Sequence, residues 1–180
     1  MAEVNNNASI LIATSFQAIE RAKVSSAPEN LMISLVFLGF YLEENLDFII
    51  ETLNKKNELI KFFNKKNNHG LLDKFGWFYN SYIASERLQK SNKKFMRCLL
   101  KNLEERYPGF KKIYEYRNHV SHGKINSSVN IQKVGQLRQT AKAITDDLLE
   151  IVNQKESISI KKNINYKDAI ANFEKMYTGL

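Results

Sequence analysis

The sequence predicts an all-α protein, because helix breakers are scarce and apolar residues recur at helical spacing. Only two prolines and seven glycines occur among 180 residues, and 43% of the residues are hydrophobic. This composition is typical of a folded domain built from long helices rather than of a disordered chain or a many-turned β structure. The length suits one domain, so we assign residues 1–155 to a helical domain and residues 156–180 to a short C-terminal helical appendage.

Apolar stripes predict the first two helices. The first stripe covers residues 7–23, and Asn7 is its candidate N-cap. The second helix is longer and carries leucines and isoleucines at three- and four-residue steps from Leu31 to Leu53. Because additional apolar residues widen its surface, we expect several neighbouring helices to bury it.

Two shorter helical segments are expected next. Residues 55–68 are basic and rich in asparagine around a few large apolar side chains, which predicts a short amphipathic helix ending near His69. The aromatic run 72–82 forms the following apolar stripe. Trp77 in this run could stack on nucleic-acid bases, but aromatic residues at this spacing are more typical of a core or a dimer interface.

The second half of the chain is expected to contain three more helices. Residues 95–103 predict a helix that is closed by the pair Pro108–Gly109. The next helix starts at Phe110 and leads into a polar motif. Apolar residues over 134–151 alternate at three- and four-residue steps. This seam predicts a long helix that packs against another helix, either in this chain or in a second copy.

Charge, cysteine content and hydropathy limit the class of protein. The net charge of +8 favours a polyanionic partner such as nucleic acid, although lysine-rich surfaces also occur without one. A single cysteine, Cys98, excludes an internal disulfide framework and is typical of a reducing cytoplasm. The longest uncharged apolar run, Leu31–Leu42, is too short to span a bilayer, and the N-terminus lacks a signal-peptide pattern. We therefore expect a cytoplasmic protein with no membrane partner.

Polar residues concentrate in the stretch Glu115–Gly123, which reads E-Y-R-N-H-V-S-H-G. Two of the three histidines of the chain lie here. On a helix, residues four apart lie about 40° apart on one face, so Asn118 stacks with His122 and Arg117 stacks with Ser121. The glycine after His122 is a candidate C-terminal cap that would leave the imidazole near solvent at the helix end.

These residue types suit metal-independent cleavage of RNA. That reaction needs a base for the 2′-hydroxyl proton, a cation for the charged phosphorane and an acid for the 5′-oxygen. Histidine transfers protons near neutral pH, and arginine presents a planar fork of donors to phosphate oxygens. The amide of Asn118 can orient His122 or donate to phosphate. One copy of the motif supplies too few groups for the whole reaction.

Arg117-Asn118-x-x-x-His122 resembles the R-N-x-x-x-H form of the Arg-x4-6-His motif of HEPN-domain ribonucleases. The small residue after the histidine and the position on a late helix before a long C-terminal helix also match. The resemblance covers about residues 7–155 and implies an HEPN-like antiparallel helical bundle. It implies that Arg117 binds phosphate and stabilises charge, that His122 is the general acid or base, and that Asn118 gives polar support.

The resemblance also implies partners and a biological setting. HEPN nucleases form homodimers in which two motifs face each other across a composite cleft, and they cut RNA without a metal. A toxin, anti-phage or stress-response role is implied, with a protein inhibitor or antitoxin as a candidate partner. Toxins of this family that pair with a minimal nucleotidyltransferase carry a tyrosine two residues after the histidine, where this chain has Lys124. That departure puts this form of neutralisation in doubt.

Four further residues are candidates for supporting roles. Glu43 and Glu44 follow the apolar run of the long helix, and one of them could hold the arginine or the histidine of the motif. Both could instead lie on an exposed helix surface, and the spacing does not choose between these interpretations. His119 and Ser121 occupy variable positions of the motif.

Other functions stay open. The sequence contains no H-E-x-x-H, C-x-x-C, glycine-rich phosphate loop or G-x-S-x-G, so neither a metal nor a cofactor is predicted. One alternative is a catalytically silent HEPN-like module that binds a protein, nucleotide or nucleic acid and serves regulation. Another is a basic helical scaffold that binds nucleic acid without cutting it. In a purely structural interpretation, the motif residues form a buried polar network that holds helices together.

Overall fold

The computed structural model describes residues 6–25, 28–64, 69–84, 92–121 and 130–160. All regular structure in these ranges is helical, which confirms the all-α prediction for them. The α-helices are α1 (Asn6–Ser25), α2 (Pro28–Thr52), α3 (Lys56–Phe63), α4 (Leu71–Phe78), α5 (Asn92–Arg106), α6 (Phe110–Ser121) and α7 (Ile131–Glu156). A π-helix, Tyr79–Ile83, continues α4. None of the helices in the described ranges combines the length and the apolar character needed to cross a membrane.

Helix α2 lies at the centre of the packing, because it contacts α1, α4, α6 and α7. Its inner stripe is fully buried at three- and four-residue steps and consists of Leu35, Leu38, Leu42, Leu46 and Ile49. Burying one such side chain is worth about 1.5–3 kcal/mol relative to leaving it exposed. The prediction of a long helix buried by several neighbours is therefore confirmed, and α2 serves as the surface on which the other helices are positioned.

Helix α7 packs within the same chain. The predicted seam is buried as far as Leu148, and its members are Val134, Leu137, Ala141, Ile144 and Leu148. After Leu148, Val152 is fully buried and Ile151 is only partly buried. This shift follows from the 3.6-residue period of a straight helix, which drifts relative to a strict three-four pattern. Because α7 contacts α1, α2 and α6, the seam packs against helices of this chain.

A tight turn joins α5 to α6, as the Pro108–Gly109 pair predicts. Gly109 has a φ of 101°, in the left-handed region that favours glycine. The carboxylate oxygens of Glu104 accept hydrogen bonds from the backbone N–H groups of Gly109 and Lys111, at 3.0 and 2.8 Å. These bonds fix the direction in which α6 leaves the turn, and hence the position of the polar motif.

The segments around α3 and α4 differ from the prediction in two respects. Helix α3 ends at Phe63 rather than near His69, because Asn64 adopts a left-handed conformation with a φ of 51°. Asparagine tolerates this conformation better than most residues do. The aromatic run changes from α-helix to π-helix at Tyr79, which its apolar spacing does not reveal. Trp77 is only 1% exposed and therefore belongs to the core.

Residues after α7 pack back onto the helical body. The side-chain amide of Asn153 donates to the carbonyl oxygen of Ile160 at 2.9 Å and accepts from its N–H at 2.8 Å. Ile160 is buried in the core. The hydroxyl of Tyr82 donates to Glu156 Oε1 at 2.6 Å and ties the π-helix to the end of α7. Residues 156–160 therefore pack with the helical domain, and the rest of the predicted appendage, 161–180, lies outside the described residues.

Candidate functional site

Arg117 lies where α6 meets α2, and its side chain starts in close contact with Gly39. A Cβ atom added to Gly39 would lie 2.6 Å from both Cβ and Cγ of Arg117. Two carbon atoms cannot approach this closely, so glycine is needed for the two helices to pack as they do. The stem of Arg117 is therefore fixed by the backbone of α2, and only the outer part of its side chain is free to choose an orientation.

Glu43, one turn further along α2, holds the guanidinium of Arg117. Nη2 of Arg117 donates to Glu43 Oε2 at 2.6 Å, and Nη1 donates to Oδ1 of Asn118 at 3.2 Å. The guanidinium carbon lies 5.6 Å from the ring centroid of Phe40, within cation–π range. The side chains of Arg117 and Glu43 are 22% and 16% exposed. The pair is largely shielded from water, which makes a charge-assisted hydrogen bond strong and geometrically well defined.

A second cation shares Glu43. Nζ of Lys74, on α4, donates to Glu43 Oε1 at 3.1 Å and to Asp47 Oδ2 at 2.6 Å. Burial raises the pKa of Asp47, and the hydrogen bond from Lys74 acts in the opposite direction. We call Glu43, Asp47, Lys74 and Arg117 the ion-pair network. Its two positive and two negative charges balance, as a network withdrawn from water requires, and it links α2, α4 and α6.

A cleft of about 270 Å³ opens beside Arg117, between the start of α4, helix α5 and helix α6. Its polar lining consists of Asp73, Arg97, Arg117 and Asn118. The first two residues of the motif therefore border the same concave surface as a second arginine from another helix. Planar arginine forks on a concave surface are suited to binding phosphate or carboxylate groups.

Glu44 is placed differently from its neighbour Glu43. Successive helical residues point about 100° apart, and Glu44 Oε1 accepts a hydrogen bond from Nδ2 of Asn7 at 3.1 Å. The structure thus places Glu43, and not Glu44, against Arg117, and the interpretation of Glu43 as part of an exposed helix surface is wrong.

Asn7 lies inside α1, which begins at Asn6. The prediction that Asn7 caps this helix is therefore also wrong.

The remaining candidate residues follow Asn118 in the sequence. His119 is exposed on this helix. Ser121 is the last residue of α6, and its side chain lies outside the described part of the chain. His122, the proposed acid or base, also lies outside it. The structure therefore brings Arg117, Asn118 and Glu43 together and leaves the positions of the other catalytic groups as predictions from sequence.

Sequence reasoning missed three residues that hold Arg117 or belong to the ion-pair network, although two of them left a signal. Gly39 is the one glycine in the apolar run Leu31–Leu42, and such a glycine often marks a close approach of another element. Lys74 is the one cation in the apolar run L-L-D-K-F-G-W-F. A lone buried cation needs a carboxylate partner. Asp47, its second partner, gave no signal in sequence.

Comparisons with models of protein families, with curated proteins and with solved structures found no match. Within the described ranges, no group of three His, Cys, Asp or Glu side chains could hold a metal ion. The resemblance to HEPN domains therefore rests on the residues of the motif and its helical context.

Replacing Gly39 by alanine is expected to destabilise the protein by about 1–3 kcal/mol, because the added methyl group overlaps the stem of Arg117. Without this overlap, alanine would stabilise the helix by about 1 kcal/mol relative to glycine. Gly135 on α7 is a matched control, since a Cβ added there meets no atom within 4 Å. Urea unfolding followed by circular dichroism should show a lower free energy of unfolding for Gly39→Ala and a higher one for Gly135→Ala. Equal gains would contradict the close packing of α6 on α2.

Proposed function

We propose that this protein is a metal-independent RNA endonuclease of the HEPN type that acts as a homodimer. The supporting observation is Arg117, which lines the cleft while its stem is fixed by Gly39 and its guanidinium is held by Glu43. A cation that is already oriented can stabilise charge developing on a phosphate without reorganising during the reaction. Such preorganisation is what metal-free phosphoryl chemistry requires of a protein.

The guanidinium keeps donors for a substrate. It carries five N–H groups, of which Glu43 and Asn118 each accept one. The Nε–H is buried and has no hydrogen-bond partner within the described ranges. Each Nη nitrogen retains a second N–H. These two donors can reach non-bridging phosphate oxygens while the ion pair with Glu43 keeps the fork in place.

In the proposed reaction, the 2′-oxygen attacks the neighbouring phosphorus, and the bond between phosphorus and the 5′-oxygen breaks. A base removes the 2′-hydroxyl proton, and an acid delivers a proton to the departing 5′-oxygen. We assign these roles to the two His122 side chains of the dimer, and charge stabilisation to Arg117 supported by Asn118. The products are a 2′,3′-cyclic phosphate and a 5′-hydroxyl. No electron transfer and no co-reactant is needed.

The proposed biological role follows from the resemblance to HEPN ribonucleases. It is that of a toxin, anti-phage or stress-response effector in the cytoplasm. Uncontrolled cleavage of cellular RNA would harm its host, so a protein inhibitor or antitoxin is the proposed regulatory partner. The net charge of +8 supports RNA as the substrate, since it attracts a polyanion.

A second candidate function is a catalytically silent HEPN-like module that binds a protein, nucleotide or nucleic acid and serves regulation. The observation in its favour is the ion-pair network, in which Glu43 bridges Lys74 and Arg117. A network of this kind can hold α2, α4 and α6 together without any catalytic role. In that case Arg117 is a structural residue that happens to border a cleft.

The test is cleavage of RNA by the purified protein in excess EDTA, with wild type beside His122→Ala. We expect wild type to produce 2′,3′-cyclic phosphate ends. The variant should be about 10²–10⁴-fold slower, the usual contribution of general acid–base catalysis. His119→Ala is a matched control, because it removes the exposed imidazole of the other histidine in the stretch Glu115–Gly123. Its rate should equal that of wild type.

The outcomes separate the two functions. Cleavage that depends on His122 and not on His119 supports the nuclease. Absence of cleavage by wild type, with transfer RNA and total RNA as substrates, favours the silent module. Equal cleavage by wild type and His122→Ala would contradict the assignment of His122 and indicate a contaminating nuclease or a different active site.

A further inference from the structure

The cleft contains a cation that the ion-pair network does not neutralise. Arg97, on α5, is exposed and lines the cleft together with Arg117. Within the part of the chain that the structure describes, no carboxylate forms an ion pair with Arg97. Arg117, in contrast, is paired with Glu43. The positive charge that the cleft offers to a ligand therefore comes mainly from Arg97.

The acidic residue of the cleft is already engaged. Oδ2 of Asp73 accepts the backbone N–H of Gly70 at 3.3 Å, in the first turn of α4. A carboxylate in this position interacts favourably with the helix dipole. Asp73 therefore has a structural role in starting α4, and the two arginines are the cations of the cleft that can contact an anionic ligand.

The remaining wall of the cleft is apolar and includes an aromatic ring. It is formed by Leu72, Met96, Leu100 and Tyr114. A base can pack on such a wall without sequence preference, because every base has an apolar face. The volume of about 270 Å³ lies just below the roughly 300–1,000 Å³ of typical small-molecule sites. This volume suits a single nucleotide better than a complete dinucleotide cofactor.

We propose that this cleft binds one nucleotide of the RNA strand next to the bond that is cut. Its base packs against Met96, Leu100 and Tyr114, and its phosphate is bound by Arg97 beside Arg117. The identity of the ligand as RNA rests on the proposed function. Arg97 is a binding residue here, and it sets the direction in which the strand leaves the catalytic arginine.

Binding of a fluorescent 2′-O-methyl RNA octamer tests this site without cleavage, since the probe lacks the attacking hydroxyl. Fluorescence anisotropy at several KCl concentrations measures the affinity and its dependence on salt. We expect Arg97→Gln to weaken binding about tenfold at low salt. The slope of log K against log salt should become shallower by about 0.7, which corresponds to one lost phosphate contact to a single strand.

Three further variants make this result specific. Lys94→Gln removes the same charge from an exposed position on α5 outside the cleft, and it should keep the wild-type slope. Arg97→Lys should keep the slope because it keeps the charge. Tyr114→Leu removes an aromatic surface and no charge. It should weaken binding at least about fivefold with an unchanged slope.

The same preparations are also assayed for cleavage of natural RNA. This distinguishes a failure of the proposed nuclease function from a failure of the proposed nucleotide site. Equal slopes for Arg97→Gln and Lys94→Gln would overturn the phosphate contact, even if wild type cleaves RNA. Unchanged affinity of Tyr114→Leu would overturn the base site. Binding that depends on Arg97 without any cleavage would leave this inference intact and overturn the nuclease. Absence of binding by wild type would overturn the inference directly.

Discussion

Replacing Glu43 by alanine is expected to lower the free energy of unfolding by about 3 kcal/mol. The side chain of Glu43 is 16% exposed and pairs with both Lys74 and Arg117. Without it, two largely buried cations lose their shared carboxylate. Removing one partner of a buried ion pair typically costs about 3–5 kcal/mol, and the residual exposure of this site places it at the lower end. Urea unfolding at pH 7 measures the change.

Asp47→Asn provides a matched control on the same helix. Asp47 contacts Lys74 but is not bonded to Arg117, and its side chain is 39% exposed. Because burial raises its pKa, the folded protein holds the proton of Asp47 more tightly than the unfolded chain does. The contribution of Asp47 to the free energy of unfolding therefore falls as pH rises above 3.8, which is the ordinary pKa of this carboxyl group. At pH 7 its replacement should change stability by less than about 1 kcal/mol.

A double variant tests the electrostatic cause. Lys74→Met, introduced into the Glu43→Ala protein, removes one of the two cations left without Glu43 and fills the space with an apolar chain. It should recover part of the lost stability. If Glu43→Ala and Asp47→Asn cost equally little, the stability of the ion-pair network does not depend on Glu43.

Local patterns were sufficient for most of the fold. The buried stripe of α2 and the seam of α7 follow from apolar spacing, because each helix buries one face against its neighbours. The end of α3 could not be read in this way. It depends on the left-handed conformation of the single residue Asn64, inside a stretch that contains several asparagines. Nothing in that stretch distinguishes this asparagine from the others.

The candidate site could be predicted only where its residues are close in sequence. Arg117 and Asn118 were found because polar residues crowd into one helical segment. The choice between Glu43 and Glu44 could not be made, since it depends on how α6 is rotated and placed against α2. That placement is set by the close contact at Gly39. Lys74 belongs to another helix, and its part in the site depends on the tertiary packing of α4 on α2.

Replacing Arg117 by lysine is expected to slow RNA cleavage by about 10²–10³-fold, the usual effect of removing one preorganised donor to a developing oxyanion. Lysine keeps the charge and can still pair with Glu43. It lacks the planar fork, so one ammonium group cannot hold Glu43 and Asn118 and also direct two N–H groups at a phosphate. Initial rates on a defined RNA in EDTA measure the effect, and unfolding measurements should show a stability change below about 1 kcal/mol.

Arg97→Lys is the control for this substitution, because it makes the same arginine-to-lysine change at another position of the same cleft. Arg97 is exposed and carries no ion pair with a described residue, so its charge matters more than its fork. Its lysine variant should therefore cleave within about threefold of wild type. If both lysine variants retain wild-type rates, the fork of Arg117 has no part in catalysis and its charge alone suffices. A large loss for Arg117→Lys alone, at unchanged stability, assigns the effect to the hydrogen-bonding geometry that Glu43 and Gly39 impose.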